Sequence, residues 1–242
     1  MMDSIDEYIF LTAGSLAAAR AMWMRRQRLA SFKTYAEKNG YTFHEEPGDL
    51  IGPLEDLKLF SAQHTQMLTH QEETRSIDFS LEKHSEGMTV QLMQYSLLRV
   101  RMTSFSQNQN RPSSWLQTRM VCAVHNKERD YPHFSLRDRL GFIDERQNTV
   151  HIADDPIFNQ RFALFSHEAK EQHLVRRLFQ AEPRNILMKV PQSPLPFFRV
   201  TRNFVQLEGR GNILIGYSPK MTYLKPAVRL MERTVELARN LQ

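Results

Sequence analysis

From residue 77 the chain alternates. Ile77, Phe79 and Leu81 are interleaved with Asp78, Ser80 and Glu82, the period-two pattern of a half-buried strand. A longer β-rich run covers 88–102. The short Ser85-Glu86-Gly87 link makes the two a hairpin. Residues 104–114 are polar and low in complexity and read as a loop. Strands are predicted again at 115–126 and 134–136. The result is an antiparallel meander with one apolar and one wet face.

The second half repeats the mixture. Residues 149–152 read as a strand. Asp154 and Asp155 precede Pro156, a cap-and-first-position signature for a short helix. A strand is predicted at 161–165, a helix at 167–180 capped by Ser166, and a short strand at 186–190. Segments 198–207 and 212–217 flank Glu208-Gly209-Arg210-Gly211, which reads as a hairpin turn. The last helix spans 220–240, with Leu224, Val228, Met231, Val235 and Ala238 as its stripe, widened by Leu230, Leu237 and Leu241. It should lie across the sheet as the main packing partner.

The N-terminal pattern differs. Residues 8–24 form an apolar run that includes Tyr8, Phe10, Leu11, Leu16 and Trp23, with Arg20 near its end. Asp3, Asp6 and Glu7 precede it, and Arg25, Arg26 and Arg28 follow. This charge asymmetry suggests a single membrane-spanning helix, N-terminus outside, with Arg20 snorkelling and Trp23 at the interface. Three other readings compete: a cleaved signal peptide, a helix lying flat in the interface, and a core or partner-packing helix. The helix is expected to continue to residue 39, with Gly40 as its stop. The division expected is an anchor with its basic flank over 1–28 and one globular domain over 29–242. A subdivision near 144–150 stays open.

Composition changes little. Of the 242 residues, 41% are hydrophobic and 24% charged, as in an ordinary globular domain. The net charge of +5 is scattered, which argues against nucleic acid; a basic domain at the inner leaflet would also gain from anionic lipid. The single cysteine, Cys122, lies in an apolar run and excludes an intrachain disulfide or a cysteine-cluster zinc site.

Candidate chemistry is thin. His167 and His173 are six apart with Glu168 between them, but a zinc helix needs a spacing of four. Gly209-Arg210-Gly211 lacks the strand-to-helix setting of a phosphate loop. Nine histidines are dispersed from His44 to His173, and no pair combines ligand spacing with a companion carboxylate. His151, Asp154 and Asp155 are the weak candidates for a catalytic carboxylate/histidine site, against a capping role for the aspartates. No metal site and no cofactor is implied.

The order of elements resembles a set of uncharacterised bacterial inner-membrane proteins with one N-terminal hydrophobic helix. The residues carrying the resemblance are Asn-Gly-Tyr-Thr-Phe at 39–43, the block at 154–164 around Phe158 and Phe162, and Gly-Asn-Ile-Leu-Ile-Gly-Tyr at 211–217. The resemblance implies an inner-membrane location and an α+β architecture, with no activity attached. The expected fold is therefore α+β: an N-terminal helix, a largely antiparallel sheet in two β-rich halves, a middle helix and a long C-terminal helix. The expected function is that of a membrane-anchored binding or scaffold protein with a cytoplasmic domain. The alternatives are an accessory subunit that contacts a protein partner through the N-terminal helix, and a hydrolase-like enzyme with a carboxylate/histidine site.

Overall fold

The computed structural model describes residues 3–45, 71–85, 87–103, 111–139, 148–189, 206–218 and 223–242. The chain opens with helix α1 (Asp3–Asn39), which stops where Gly40 takes a positive φ of 69°. Strands follow as β1 (Thr42–Glu45), β2 (Gln71–Ser85), β3 (Met88–Thr103), β4 (Arg111–Asn126), β5 (Tyr131–Asp138) and β6 (Thr149–Val150). Helix α2 (Pro156–Arg161) leads into β7 (Phe162–Ser166). A 3-10 turn (Ala169–Glu171) and helices α3 (Gln172–Leu178) and α4 (Ala181–Met188) come next. The hairpin β8 (Gln206–Gly211) and β9 (Ile213–Ser218) precedes the last helix, α5 (Leu224–Asn240).

The two β-rich halves make one sheet. Its order is β1-β2-β3-β4-β9-β8-β5-β7-β6, and every pairing is antiparallel. The β8–β9 hairpin inserts between β4 and β5, so the last two strands join strands far upstream in sequence.

The sheet's two faces differ. One carries Phe79, Leu81, Leu92, Met120, Cys122, Phe134, Leu136, Leu164, Leu207 and Leu214, all buried. Phe32 and Ala36 of α1, Val175 of α3, Ile186 and Leu187 of α4 and Met231 and Leu237 of α5 pack onto it. Burying such side chains contributes about 1.5–3 kcal/mol each and dominates the stability. The other face holds a smaller cluster, Ile77, Met93, Tyr95, Val121, Ala123, Ile215 and Tyr217. Among the described residues only strands contribute to it.

Several expectations are corrected. The run at 186–190 is not a strand. Pro183, Ile186 and Leu187 turn inward together at three-and-four spacing in α4, a period that a five-residue run is too short to reveal. Ser166 ends β7 instead of capping a helix, and its hydroxyl donates to the Glu168 carbonyl at 2.6 Å. The hairpin turn falls at Gly211 (φ 55°) and Asn212, so Glu208 lies within β8. The inward stripe of α5 is Ala227, Met231, Thr234, Leu237 and Ala238; Met231, Leu237 and Ala238 are as expected, and Ala227 and Thr234 join them. The loop expected at 104–114 ends earlier, because β4 begins at Arg111. Its other residues and residues 198–205 lie outside the described residues, as do 46–53 and 57–60, where the sequence suggests turns and a short strand.

The largest correction concerns the N-terminus. Among the described residues no helix is long and apolar enough to cross a membrane. The physical reason is visible in the run 8–24, which contains five alanines, Gly14, Thr12, Ser15 and Arg20. A span needs about 20 apolar residues, so extending this one takes in Asp6 and Glu7 or Arg25 and Arg26. The assignment of Tyr8, Phe10, Leu11, Leu16 and Trp23 to an anchor falls with that finding. So do the inner-membrane location, the N-out topology and the anionic-lipid partner. Trp23 is 62% exposed in α1. Within the basic flank Arg25 and Arg26 are exposed, while Arg28 is half-buried. Desolvation lowers the Arg28 pKa, and the Asp78 carboxylate opposes that shift, so this arginine turns toward the sheet. A protein partner at α1 finds no support either.

Candidate active site

The site is a row across three neighbouring strands on the less covered face. Strand β5 lies between β8 and β7. Tyr131 pairs with Gly211 and Phe134 with Gly209, so three steps on β5 match two on β8. This β-bulge lets Tyr131 and Phe134, three residues apart, both enter the helix-covered core. It also sets His133, the residue before Phe134, on the opposite face.

Each neighbour of His133 arrives by register. Glu208 lies opposite Ser135 on β8. Phe134 pairs with Ser166, which brings His167, one residue past β7, beside His133. The ladder continues there: the His167 N–H donates to the His133 carbonyl at 2.8 Å. The His133 N–H, set outward by the bulge, donates to Glu171 Oε2 at 3.3 Å. Both main-chain polar groups of His133 are therefore engaged, and its side chain starts from a fixed backbone.

The side chains meet closely. His133 Nε2 lies 3.0 Å from Glu208 Oε1, with side chains 15% and 3% exposed. The His133 and His167 rings stack with centroids 3.8 Å apart and planes 24° from parallel. One ligand atom from each of His133, His167 and Glu208 can be chosen so that all lie within 4.8 Å of one another. Among the described residues this is the group of three histidine, cysteine or acidic side chains placed to meet a single ion.

A carboxylate only accepts hydrogen bonds. Paired with Glu208 as a carboxylate, His133 therefore donates through Nε2–H and keeps Nδ1 as its basic nitrogen. The surroundings are charged. Glu168 forms a 2.9 Å ion pair with Lys170, which holds the Glu168 carboxyl below the usual range, with smaller contributions from His133 and Arg210. Burial pushes the Tyr217 hydroxyl up to about 12, against the Arg137 and Arg119 charges and with a smaller push from Glu208.

The residues singled out from the sequence lie elsewhere. Asp155 caps α2, accepting the Phe158 N–H at 2.9 Å, and Pro156 takes the first helical position. Arg184 of α4 bridges both aspartates, with Nη2 to Asp154 Oδ2 and Nη1 to Asp155 Oδ2 each at 3.0 Å. The hydrogen bond from Arg184 lowers the Asp154 pKa. His151 is exposed, and its carbonyl accepts from Arg176 Nε at 3.2 Å.

Sequence reasoning missed the trio. His133 counted as one dispersed histidine, His167 as half of a failed zinc helix, and Glu208 as a turn residue. The one legible signal was Glu208 between apolar Leu207 and the glycines of a strand pair. Cys122, the remaining reactive type, lies in the opposite core, where burial pushes its thiol up to about 12 against a weaker Thr234 hydrogen bond.

No family model, no curated protein and no solved structure matches this chain. The resemblance to inner-membrane proteins thus gains no support from relatives, and the absence of a spanning helix among the described residues contradicts it.

Proposed function

We propose that the protein is a hydrolase-like enzyme, with His133, Glu208 and His167 forming its water-activating site. The membrane-anchored scaffold reading is set aside with its anchor. The observation that carries the proposal is the nearly buried Glu208 carboxylate, 3.0 Å from His133 Nε2 on the less covered face. Burying a carboxylate costs several kcal/mol unless it is paired. Holding a histidine in one tautomer beside that carboxylate is a standard arrangement for general-base work.

The chemistry runs through this chain's own groups. Glu208 fixes the His133 ring and its Nε2 proton. Nδ1 takes a proton from water as the oxygen attacks an acyl or phosphoryl centre. The imidazolium that forms is stabilised by the Glu208 carboxylate. Nδ1 then returns the proton to the leaving group. His167, stacked alongside, supplies a second imidazole on the same face.

The test is a turnover screen with activated ester, phosphoester and amide substrates, comparing the wild type with H133Q and E208Q. General-base catalysis contributes about 10²–10⁴-fold, so both variants are expected to lose at least about 100-fold in kcat while keeping the wild-type circular dichroism. Turnover that survives both substitutions overturns the proposal, as does a folded wild type inactive on every class.

A further inference from the structure

We infer that the same three side chains bind one zinc-type divalent cation. The inference rests on the water-activating reading for its purpose, though not for its geometry. Two imidazoles and one carboxylate form a nitrogen–oxygen donor set that suits zinc and other borderline first-row ions. A general-base pair needs only His133 and Glu208. The second imidazole, one residue past a third strand and with a ligand atom within 4.8 Å of the other two, is what a dyad leaves unexplained and a metal site uses.

The distances favour an ion. Ligands at about 2.0–2.1 Å from a tetrahedral zinc lie about 3.3 Å from one another. His133 Nε2 and Glu208 Oε1 are already 3.0 Å apart. The full set spans 4.8 Å or less, so closure asks at most about 1.5 Å, mainly of His167. Stacked rings point their nitrogens along nearly parallel lines, and His167 must therefore swing out of the stack as it binds. The ion would take the place of the proton bridging His133 and Glu208; His133 would then carry its proton on Nδ1, and activation of the water would pass from Nδ1 to the ion.

The support around the trio is that of a built site. His133 and Glu208 sit on adjacent strands and His167 follows a third, and the His133 backbone is held by the His167 N–H and the Glu171 carboxylate. These contacts fix the backbone from which the His133 ring projects. Three protein ligands leave a fourth position for water, as in catalytic zinc sites.

The experiment uses the full chain, stripped with a chelator and titrated with Zn²⁺ by calorimetry and with Co²⁺ by absorption. The expected result is one ion per chain, with tetrahedral cobalt bands and no thiolate charge transfer. H167Q is expected to weaken binding by about 100-fold or more, and exposed H173A to leave it unchanged. No stoichiometric binding by the wild type overturns the inference, as does H167Q binding like the wild type or a cobalt spectrum of an octahedral aquo type. The cobalt spectrum needs no variant and so stands even if H167Q fails to fold. A chain that binds zinc through the trio but hydrolyses nothing keeps the metal site and loses the hydrolytic reading. A chain that hydrolyses at full rate without binding zinc keeps that reading and loses the metal.

Discussion

The two faces of the sheet use the same strands for different ends. At β5, Phe134 points into the helix-covered core, where its ring meets Phe179 edge-on at 5.2 Å. One residue earlier, His133 points the other way, to Glu208 and His167. At β8, Leu207 faces the core and Glu208 the site. The covered face is apolar and built of large interlocking side chains. The other combines a small apolar cluster with the polar row. Stability and chemistry are thus separated by the pleat, and a single substitution should move mainly one of them.

The largest effect is expected on the covered face. Phe134→Ala removes a fully buried ring and should lower unfolding free energy by about 3–5 kcal/mol, read from urea unfolding. Zinc binding per folded molecule should change little. If F134A abolishes zinc binding while the chain is still folded, the two faces are coupled more tightly than the pleat implies.

A smaller loss is expected from Gly209→Ala. A Cβ there would meet Phe134 Cζ at 2.8 Å, closer than real Cβ contacts come. Overpacking of this kind costs about 1–3 kcal/mol. Combining G209A with Phe134→Leu should recover part of the loss if the clash is its cause. Additive losses would place the cause in the β8 backbone instead.

This glycine also shows how much the sequence disclosed. Glycines at 209 and 211 read as a turn, because glycine is the commonest marker of one. Only Gly211 plays that part. Gly209 lies inside a strand, where the missing side chain makes room for a ring on the next strand. Most elements were legible because their periods are local: α1 with its Gly40 stop, the β2–β3 hairpin, the Asp155–Pro156 cap and the final helix. The site was not. Its residues lie 34 and 41 positions apart, and they meet only because β5 pairs with β7 on one side and β8 on the other. A bulge adds one residue to the count, and no periodicity announces it. The membrane span was misread for a different reason: alanine and glycine keep a run free of charge without making it apolar enough.

Outside both faces, Arg184 ties α4 to the α2 cap. Only 9% exposed, it donates to Asp154 and Asp155. Arg184→Ala should cost about 1–2 kcal/mol, held down by the exposure of the Asp154 partner. The pH dependence follows in sign. The folded Asp154 pKa is depressed, chiefly by the Arg184 hydrogen bond. Its contribution is therefore fully present above the unfolded value of about 3.9 and is lost as pH falls through the folded one. The gap in urea midpoint between wild type and R184A should narrow below about pH 4. A gap that stays constant down to pH 2 would mean that Arg184 acts through packing and not through these carboxylates.

The smallest stability effect is expected from Glu208→Gln, and it discriminates best. Gln keeps the size of Glu208 and still offers a carbonyl oxygen to His133 Nε2–H. The hydrogen bond survives without its charge, and the change should stay within about 1 kcal/mol. The charge itself is what zinc and an imidazolium both require, so zinc affinity and any turnover should fall sharply in a chain that unfolds almost like the wild type. The opposite pattern is equally legible. If E208Q unfolds as easily as F134A, the His133–Glu208 pair is a brace between β5 and β8, and the less covered face is structural after all. The covered face offers the matching control. Cys122 is fully buried there, with its thiol held near 12, and should resist thiol reagents until the chain unfolds. Labelling of Cys122 in E208Q at the wild-type rate would show that the lost carboxylate had left the core intact.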